Sequence, residues 1–400
     1  MFQEGRVWLE RALATDPADP GLRAGLLRLL GALLYAAGDL ERAQATLAQG
    51  LQVAAADPGL SSVQARIRVL LAEIRLVEDA GNAEALEECD AAAALLESGN
   101  DLEGLAQVWL TVGKARFFAV DALGAEEALE RARAYARQSG NHRAELESRT
   151  WLVGTFLELP IPADVAVGRA EQLLEAAVGD PWGEAAILRW LSPLYGYAGR
   201  FDDARAAYTR SRSEFTRAGA KLDWAMSAIP AGMTELIAGD FGAAEQILRQ
   251  GAETLRALGE RGYRSTAVAF LAEALYAKGR LDEAERLTED AEALAGAGDV
   301  FSQAQWRATR AKLLARRGEF GAAVRLADEA LAQIPGMSFD PILGETLTAK
   351  AEVLRLAGEP SEAETSLRRA LQLFEDRRMT PRAEQARALL ASLADQHPQH

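Results

Sequence analysis

The sequence is poor in the residues that staple, ligate or catalyse. Its 400 residues hold one cysteine, Cys89, and three histidines. A single thiol excludes an internal disulfide and fits a reducing cytoplasm. Lying in the helical stretch Glu87-Glu88-Cys89-Asp90-Ala91, it reads as a structural thiol rather than a reactive one. His142 stands by itself, and His397-x-x-His400 lies in a tail after Asp395-Gln396 without a third ligand, so neither a metal site nor a cofactor is expected. No serine or cysteine has a histidine placed by a motif to activate it. Acid pairs such as Glu126-Glu127 and Asp202-Asp203 are helix neighbours that point apart, not acid/base dyads. The expectation is a protein that is not an enzyme and has no catalytic residues.

Other absences narrow the class further. No apolar run approaches the length that spans a bilayer. The start, Met1-Phe2-Gln3-Glu4-Gly5-Arg6, lacks the cationic segment and apolar run of a secretion signal, so the expected location is the cytoplasm. Basic residues are outnumbered, 44 Lys+Arg against 59 Asp+Glu, giving a net charge of −15. Such a surface repels phosphate backbones, so direct nucleic-acid binding is not expected. The deficit is uneven: residues 301–400 hold 14 basic against 13 acidic residues. An acidic body of this kind favours a basic partner, with ordinary solvated helix faces as the plainer account. Aromatics are only 6% of the chain, while apolar residues make up 49%. Alanine and leucine carry that fraction, which suits closely packed helices rather than sheets.

What is present in quantity is repetition. The phrase Gly199-Arg200-Phe201-Asp202-Asp203-Ala204 returns as Gly38-Asp39-Leu40 to Ala43, Gly239-Asp240-Phe241 to Ala244 and Gly279-Arg280-Leu281 to Ala284. It returns again as Gly318-Glu319-Phe320 to Ala323 and Gly358-Glu359-Pro360 to Ala363. The alanines at 204, 244, 284, 323 and 363 lie 40, 40, 39 and 40 apart. A fixed period of that size means stacked structural units, each burying its apolar face on the next. Glycine supplies a left-handed cap where each first helix ends, Asp39 and Asp240 are placed to cap the helix that follows, and the small alanine lets two helix backbones approach.

Between these joints, apolar periodicity predicts helical pairs at 22–37 with 40–55, 61–78 with 83–97, and 102–118 with 122–138. The series continues at 143–158 with 163–177, 184–198 with 202–218, 222–238 with 241–258, and 263–277 with 281–295. It ends at 302–316 with 320–333 and 341–356 with 360–375. Residues 1–20 hold an orphan helix closed by Asp16-Pro17 and Asp19-Pro20, because the residue before proline avoids helical geometry. Nine pairs thus occupy 21–378, a capping helix announced by Thr380-Pro381 occupies 379–394, and 395–400 form a disordered tail. The cap places Ala386, Leu389, Leu390 and Leu393 on one side and Arg382, Gln385 and Arg387 on a polar back. The orphan helix carries Phe2, Trp8 and Leu9 with no earlier helix to cover them, and is expected to dock on another domain, another copy or an upstream segment.

Trp109-x-x-Val112-Gly113 leading to Ala125-x-x-x-Leu129 resembles the tetratricopeptide repeat (TPR) family. So does Leu188-x-x-Leu191-Ser192-x-x-Tyr195 leading to Ala204-x-x-x-Tyr208, as does the twelve-residue step from Gly31 to Ala43, Gly113 to Ala125 and Gly232 to Ala244. The pairs around 61–97 and 143–177 depart from the pattern, and Leu159-Pro160-Ile161-Pro162 stands where a glycine joint is expected. The resemblance implies an all-α, right-handed superhelical solenoid of stacked antiparallel helix pairs, with a period of about 40 residues rather than the common 34. It also implies a concave groove lined by the first helices, whose inward positions are Gln107, Lys114, Trp151, Arg189, Tyr197, Met226, Met233, Tyr276, Gln305 and Lys312. That mixture suits a protein or peptide partner. Trp109 reads as core. The closing run from Ala349 to Gly358 and on to Ala370-Leu371 is similar to the last repeats of MalT-like and cyclase- or ATPase-associated bacterial regulators. A sensory module that binds a small effector is the alternative to a scaffold.

Overall fold

A computed structural model describes residues 2–36, 39–78, 83–334 and 341–396. Gly38, His397, His400 and the side chain of Phe2 lie outside the described residues. The chain divides into two compact units, one of residues 1–119 with 123–151 and one of residues 120–122 with 152–400. All regular structure among the described residues is helical.

The first unit comprises α1 (Phe2–Ala14), α2 (Pro20–Ala36), α3 (Leu40–Ala55), α4 (Ser61–Glu78), α5 (Ala83–Ser98), α6 (Leu102–Phe118), most of α7 (Ala122–Ser139) and the start of α8 (His142–Thr155). Its buried clusters include one around Leu34, Leu47, Ile67 and Ile74 and another around Val69, Ala72, Cys89, Leu96 and Val108. Each such leucine or isoleucine contributes roughly 1.5–3 kcal/mol by leaving water. Cys89 is 1% exposed, and burial first, then Glu73, Asp90 and Glu88, push its thiol up to about 12, which keeps it protonated and unreactive. Trp109 packs at the edge of the second cluster with the Arg131 guanidinium 4.5 Å above its ring.

The second unit comprises α9 (Ala163–Glu175), α10 (Pro181–Tyr197), α11 (Phe201–Ala218), α12 (Lys221–Met226), α13 (Ala228–Ala238), α14 (Phe241–Ala257) and α15 (Gly262–Ala277). It continues with α16 (Leu281–Leu294), α17 (Val300–Arg316), α18 (Phe320–Ala332), α19 (Pro341–Leu356), α20 (Pro360–Asp376) and α21 (Thr380–Gln396). The stretch expected as one helix at 222–238 is broken at Ser227. Pro230 has no amide hydrogen to give the carbonyl of Met226, and the Ser227 hydroxyl turns back onto the Trp224 carbonyl, 2.7 Å away.

The repeated phrase has a physical cause in both units. Gly199, Gly239, Gly279, Gly318 and Gly358 adopt φ between +74° and +82°, the left-handed geometry that ends a first helix. The twelve-residue step arises from packing. A Cβ on Gly113 would stand 2.5 Å from Leu129 Cγ, and one on Gly232 would stand 2.4 Å from Leu248 Cγ. Each leucine lies four residues beyond the repeat alanine, so glycine, alanine and leucine form one knob-and-socket contact between paired helices. Asp240 caps α14 by accepting from the Ala243 amide at 2.9 Å, whereas Asp39 makes no such bond and pairs with Arg42 at 3.3 Å.

The second unit closes on itself. The buried side chain of Arg377, at the end of α20, donates to the carbonyls of Phe156 (3.4 Å) and Leu157 (2.7 Å), while the Ala163 amide donates to the Arg377 carbonyl at 2.7 Å. Arg378 and Asp164 add an exposed pair at 2.8 Å. The helix α21 then lies against α20 and reaches α10 and α13. Ala386 and Leu393 of its expected apolar side are buried and Leu390 is half-buried, whereas Leu389, expected on the same side, is 43% exposed. On its polar back Gln385 and Arg387 are exposed, while Arg382 is half-buried and pairs with Glu345 of α19 at 2.5 Å, and Gln385 also donates to the Ile237 carbonyl of α13 at 2.9 Å.

Candidate inner-face binding site

In the first unit, Gln107, Thr111 and Lys114 recur at i, i+4 and i+7 on α6, so one helix face presents all three. Gln107 Nε2 donates to Glu73 of α4 at 2.6 Å, and the Thr111 hydroxyl donates to the same carboxylate at 3.0 Å. Lys114 pairs with Glu147 of α8. Burial disfavours charge on this lysine, but Glu147 and Glu73 outweigh it and hold the ammonium above its ordinary range. Burial likewise pushes Glu147 up, and Lys114 overcomes it to keep the carboxyl below its ordinary range. Trp151 is half-buried, edge-on to Phe117 at 5.3 Å and Phe118 at 5.6 Å, with Lys114 Nζ 5.9 Å from its ring. The predicted residues Gln107, Lys114 and Trp151 are therefore brought together. Glu73, Thr111 and Glu147, which complete the row, were not anticipated, although the i, i+4, i+7 recurrence on α6 carried the signal for Thr111.

The row is oriented by Asp101, which caps α6 by accepting from the Gly104 amide at 2.9 Å. It also accepts from Ser62 at 2.6 Å and, through both oxygens, from Arg66 of α4. Burial raises the pKa of Asp101, yet the bonds from Arg66, Ser62 and Gly104 prevail and hold it at about 2, against 3.8 for a free aspartate. A depressed folded-state value means stability that is present above the ordinary pKa and lost as pH falls through the folded one. Unfolding midpoints of the wild type should fall between about pH 4 and pH 2. Asp101→Asn should be less stable at neutral pH and show a shallower fall across that window. Parallel acid titrations in urea check this, and identical slopes would remove Asp101 from the account.

In the second unit the predicted residues divide. Arg189, Tyr197, Met226, Tyr276 and Lys312 are buried, whereas Met233 and Gln305 are half-buried. Arg189 pairs with Asp223 at 3.2 Å and lies over the Trp190 and Phe215 rings, while Met226 packs with Leu255 and Trp306. Met233 is partly buried beside Phe270 and Tyr276. Tyr276, Gln305 and Lys312 meet in one polar network. Lys312 bonds Glu273 at 2.5 Å, Thr309 donates to Glu273 at 2.8 Å, and Gln305 Nε2 lies 3.4 Å from Thr309. The Tyr276 hydroxyl donates to Glu352 of α19 at 2.5 Å and accepts from Arg316 at 3.0 Å. Burial and Glu352 drive its pKa far above the ordinary phenol value, so it stays protonated. Glu273, Glu345, Glu352, Arg316 and Arg382 were not anticipated. Thr309, Lys312 and Arg316 recur at i, i+3 and i+7 on α17, but nothing local couples them to α19 or α21.

These side chains form a row of paired charges in each unit on the first helices of successive pairs, with Gln107, Lys114, Trp151 and Gln305 half-buried and Thr111, Tyr276, Thr309 and Lys312 buried. Among the described residues no group of three His, Cys, Asp or Glu side chains is placed to hold a metal ion, and no helix is long and apolar enough to cross a membrane.

Residues 2–67 match the family model described as tetratricopeptide repeat. No curated protein sequence matches the chain. Among solved structures, NprR in complex with its cognate peptide NprX is similar at a TM-score of 0.51 and 14% identity, over 75% of this chain and 85% of that one. A Rap protein complexed with competence and sporulation factor aligns at a TM-score of 0.47 and 14% identity, over 84% of this chain and 98% of that one. Yeast Tom70 aligns at 0.39 and 14%, over 99% and 93%. At this identity the likeness is one of fold.

Proposed function

We propose, from the premise that this chain is a tetratricopeptide-type helical-repeat protein, that it is a non-catalytic scaffold binding a peptide or a protein segment along its inner faces. The observation that carries the reading is the row Gln107, Thr111, Lys114 and Trp151 in the first unit. Charged and amide groups there are held by partners on neighbouring helices while remaining partly wetted, and a half-buried indole stands beside them. Pre-ordered polar groups around an aromatic anchor suit recognition of an extended segment, because little side-chain freedom remains to be lost on binding. The cognate peptide named for the NprR complex fits the same reading.

The test is affinity capture from source-cell lysate by the full chain and by a Gln107→Ala, Trp151→Ala variant of matched circular dichroism. One stoichiometric partner retained by the wild type and lost by the variant is the expected result. Equal capture by both overturns the assignment of this row.

A second reading is a sensory module of the kind carried by MalT-like or cyclase- and ATPase-associated regulators, in a cytoplasmic signalling or transcription-regulatory system. The closure through Arg377 supports it, since a contact made or broken there would give the second unit two arrangements for an effector to choose between. Thermal-shift screening with small metabolites separates this reading from the first. The N-terminal helix fits a docking role as well: Trp8 is 69% exposed, while Leu9 and Leu13 pack inward.

A further inference from the structure

The first unit carries a cation that its own fold leaves unmatched. Arg66 of α4 pairs with Asp101 at 2.9 Å and Glu103 at 3.0 Å, Arg68 pairs with Glu88, and Lys114 of α6 pairs with Glu147. Arg28 of α2 is half-buried, yet among the described residues it has no ion pair, hydrogen bond or ring contact. The charge facing it from α4 is another cation, Arg66. Burial, then Arg66, pull the Arg28 guanidinium below its ordinary range, and Glu103, which is bonded to Arg66, only partly offsets them. One turn before Arg28 stands Gly25. A Cβ on Gly31 of the same helix would lie 2.5 Å from Leu47 Cγ, but one on Gly25 would meet nothing within 4 Å. Packing inside the chain therefore does not require glycine at this position, although a glycine inside a helix costs stability relative to alanine. Leu22 and Leu29, at i−3 and i+4 from Gly25, are 54% and 44% exposed beside it.

We propose that this face of α2 is a subsite for an acidic side chain of the bound segment, with its carboxylate on Arg28, its backbone along Gly25 and its adjoining apolar side chains on Leu22 and Leu29. This deepens the scaffold reading above and rests on it. Leu22 and Leu29 are two turns apart, about 10 Å, a length that about three residues of an extended segment cover. Successive side chains of such a segment point to opposite sides, so a carboxylate directed at Arg28 leaves both its neighbours on the leucine side. The missing Cβ at Gly25 lets that backbone lie close to the helix. Nothing has to be displaced, because Arg28 holds no partner among the described residues, and a charge-assisted bond to a half-covered guanidinium is stronger than one in open water. The net charge of −15 opposes an acidic segment at long range, where salt screens it beyond about 10 Å, whereas Arg28 acts in contact. An arginine kept without a counter-ion is a local cost to the fold, of the kind proteins retain where they bind.

The test uses the full chain and three dansyl-labelled pentapeptides: Gly-Leu-Glu-Leu-Gly amide, its Gln counterpart, and the Gln peptide with a free C-terminal carboxylate. The Glu peptide should bind wild type at least about fivefold more tightly than the Gln amide. Arg28→Gln should erase that difference, and Arg28→Lys should keep part of it. Stability without any peptide supplies a second readout. Arg28→Gln should leave the urea midpoint unchanged or higher, whereas Arg66→Gln, which strands Asp101, should lower it. Equal binding of the Glu and Gln amides to wild type, or no binding of either, overturns the inference. So does a fall in midpoint for Arg28→Gln that matches the fall for Arg66→Gln. Tighter binding of the free carboxylate than of the Glu side chain would place a chain terminus at Arg28 and overturn the side-chain assignment. Absence of the Glu preference while the Gln107→Ala, Trp151→Ala variant still loses the lysate partner would defeat the subsite and leave the scaffold reading standing. A Glu preference that persists while that variant captures as well as wild type would do the reverse.

Discussion

Arg377→Ala is expected to destabilise the second unit by about 2–4 kcal/mol, because one buried guanidinium satisfies two backbone carbonyls that have no helical partner. The carbonyls of Phe156 and Leu157 end the turn after α8, and Arg377, 4% exposed, donates to both. Hydrogen bonds from charged donors contribute about 1.5–3 kcal/mol each, and truncation strands the acceptors in a site that water enters poorly. Arg377→Met separates two effects, since it keeps most of the volume but none of the donors. If methionine restores the urea midpoint, the clamp specifies the closed arrangement without stabilising it on balance, as buried ionic groups sometimes do. Hydrogen exchange reads the closure directly. The Ala163 amide, bonded to the Arg377 carbonyl at 2.7 Å, should exchange faster in either variant. Unchanged exchange across 156–163 would mean that the ends of the unit are held together by other contacts.

The same contact marks where the sequence stops being readable. Helices and glycine joints followed from local rules, though of the two expected aspartate caps only Asp240 forms: a φ near +77° at Gly239 needs glycine, and the socket at Gly232 needs a missing Cβ for Leu248. Periodicity at 3.6 residues found nearly every helix because each repeat buries one face on its neighbours. The break at Ser227 lay in plain view as Pro230, yet Pro193 sits inside an unbroken α10, so proline alone does not decide the matter. Leu159-Pro160-Ile161-Pro162 read only as a lapse in the repeat pattern. In the fold the residues flanking it, Phe156, Leu157 and Ala163, seat Arg377 from more than two hundred positions away, a pairing that no short-range rule contains. The inner-face residues divided for a related reason. Family position says which residues face inward in a repeat, but not whether the next helix covers them. All four of Lys312, Tyr276, Arg189 and Met226 are covered, the first two within a polar network, Arg189 against Asp223 and two aromatic rings, and Met226 in an apolar cluster.

Lys114→Met should cost the first unit about 2–4 kcal/mol at neutral pH and reverse the sign of part of its pH dependence. In the wild type Lys114 pairs with Glu147 and lies near Glu73, with side-chain exposures of 20% and 27% for the pair. Breaking a buried pair from one side leaves the other charge uncompensated, a loss of roughly 3–5 kcal/mol when the site is dry. Two features lower the figure here. The site is partly wetted, and Arg143 still favours the charged form of Glu147. Glu73 keeps its bonds from Gln107 and Thr111, so Glu147 is the group left exposed to the cost. The sign follows from which effect then governs Glu147. In the wild type its pKa lies below the ordinary value of 4.5, so its contribution is present above that pH and lost as pH falls. Without Lys114, burial dominates and raises the pKa, so the variant recovers stability as acid neutralises the carboxyl. Urea midpoints of wild type and variant should therefore converge on descending through pH 5, and adding Glu147→Gln to Lys114→Met should restore much of the loss at pH 7 while flattening the slope. Parallel curves for wild type and Lys114→Met would mean that Glu147 finds another cation. In that case Lys114 would be free to serve a bound segment rather than the fold.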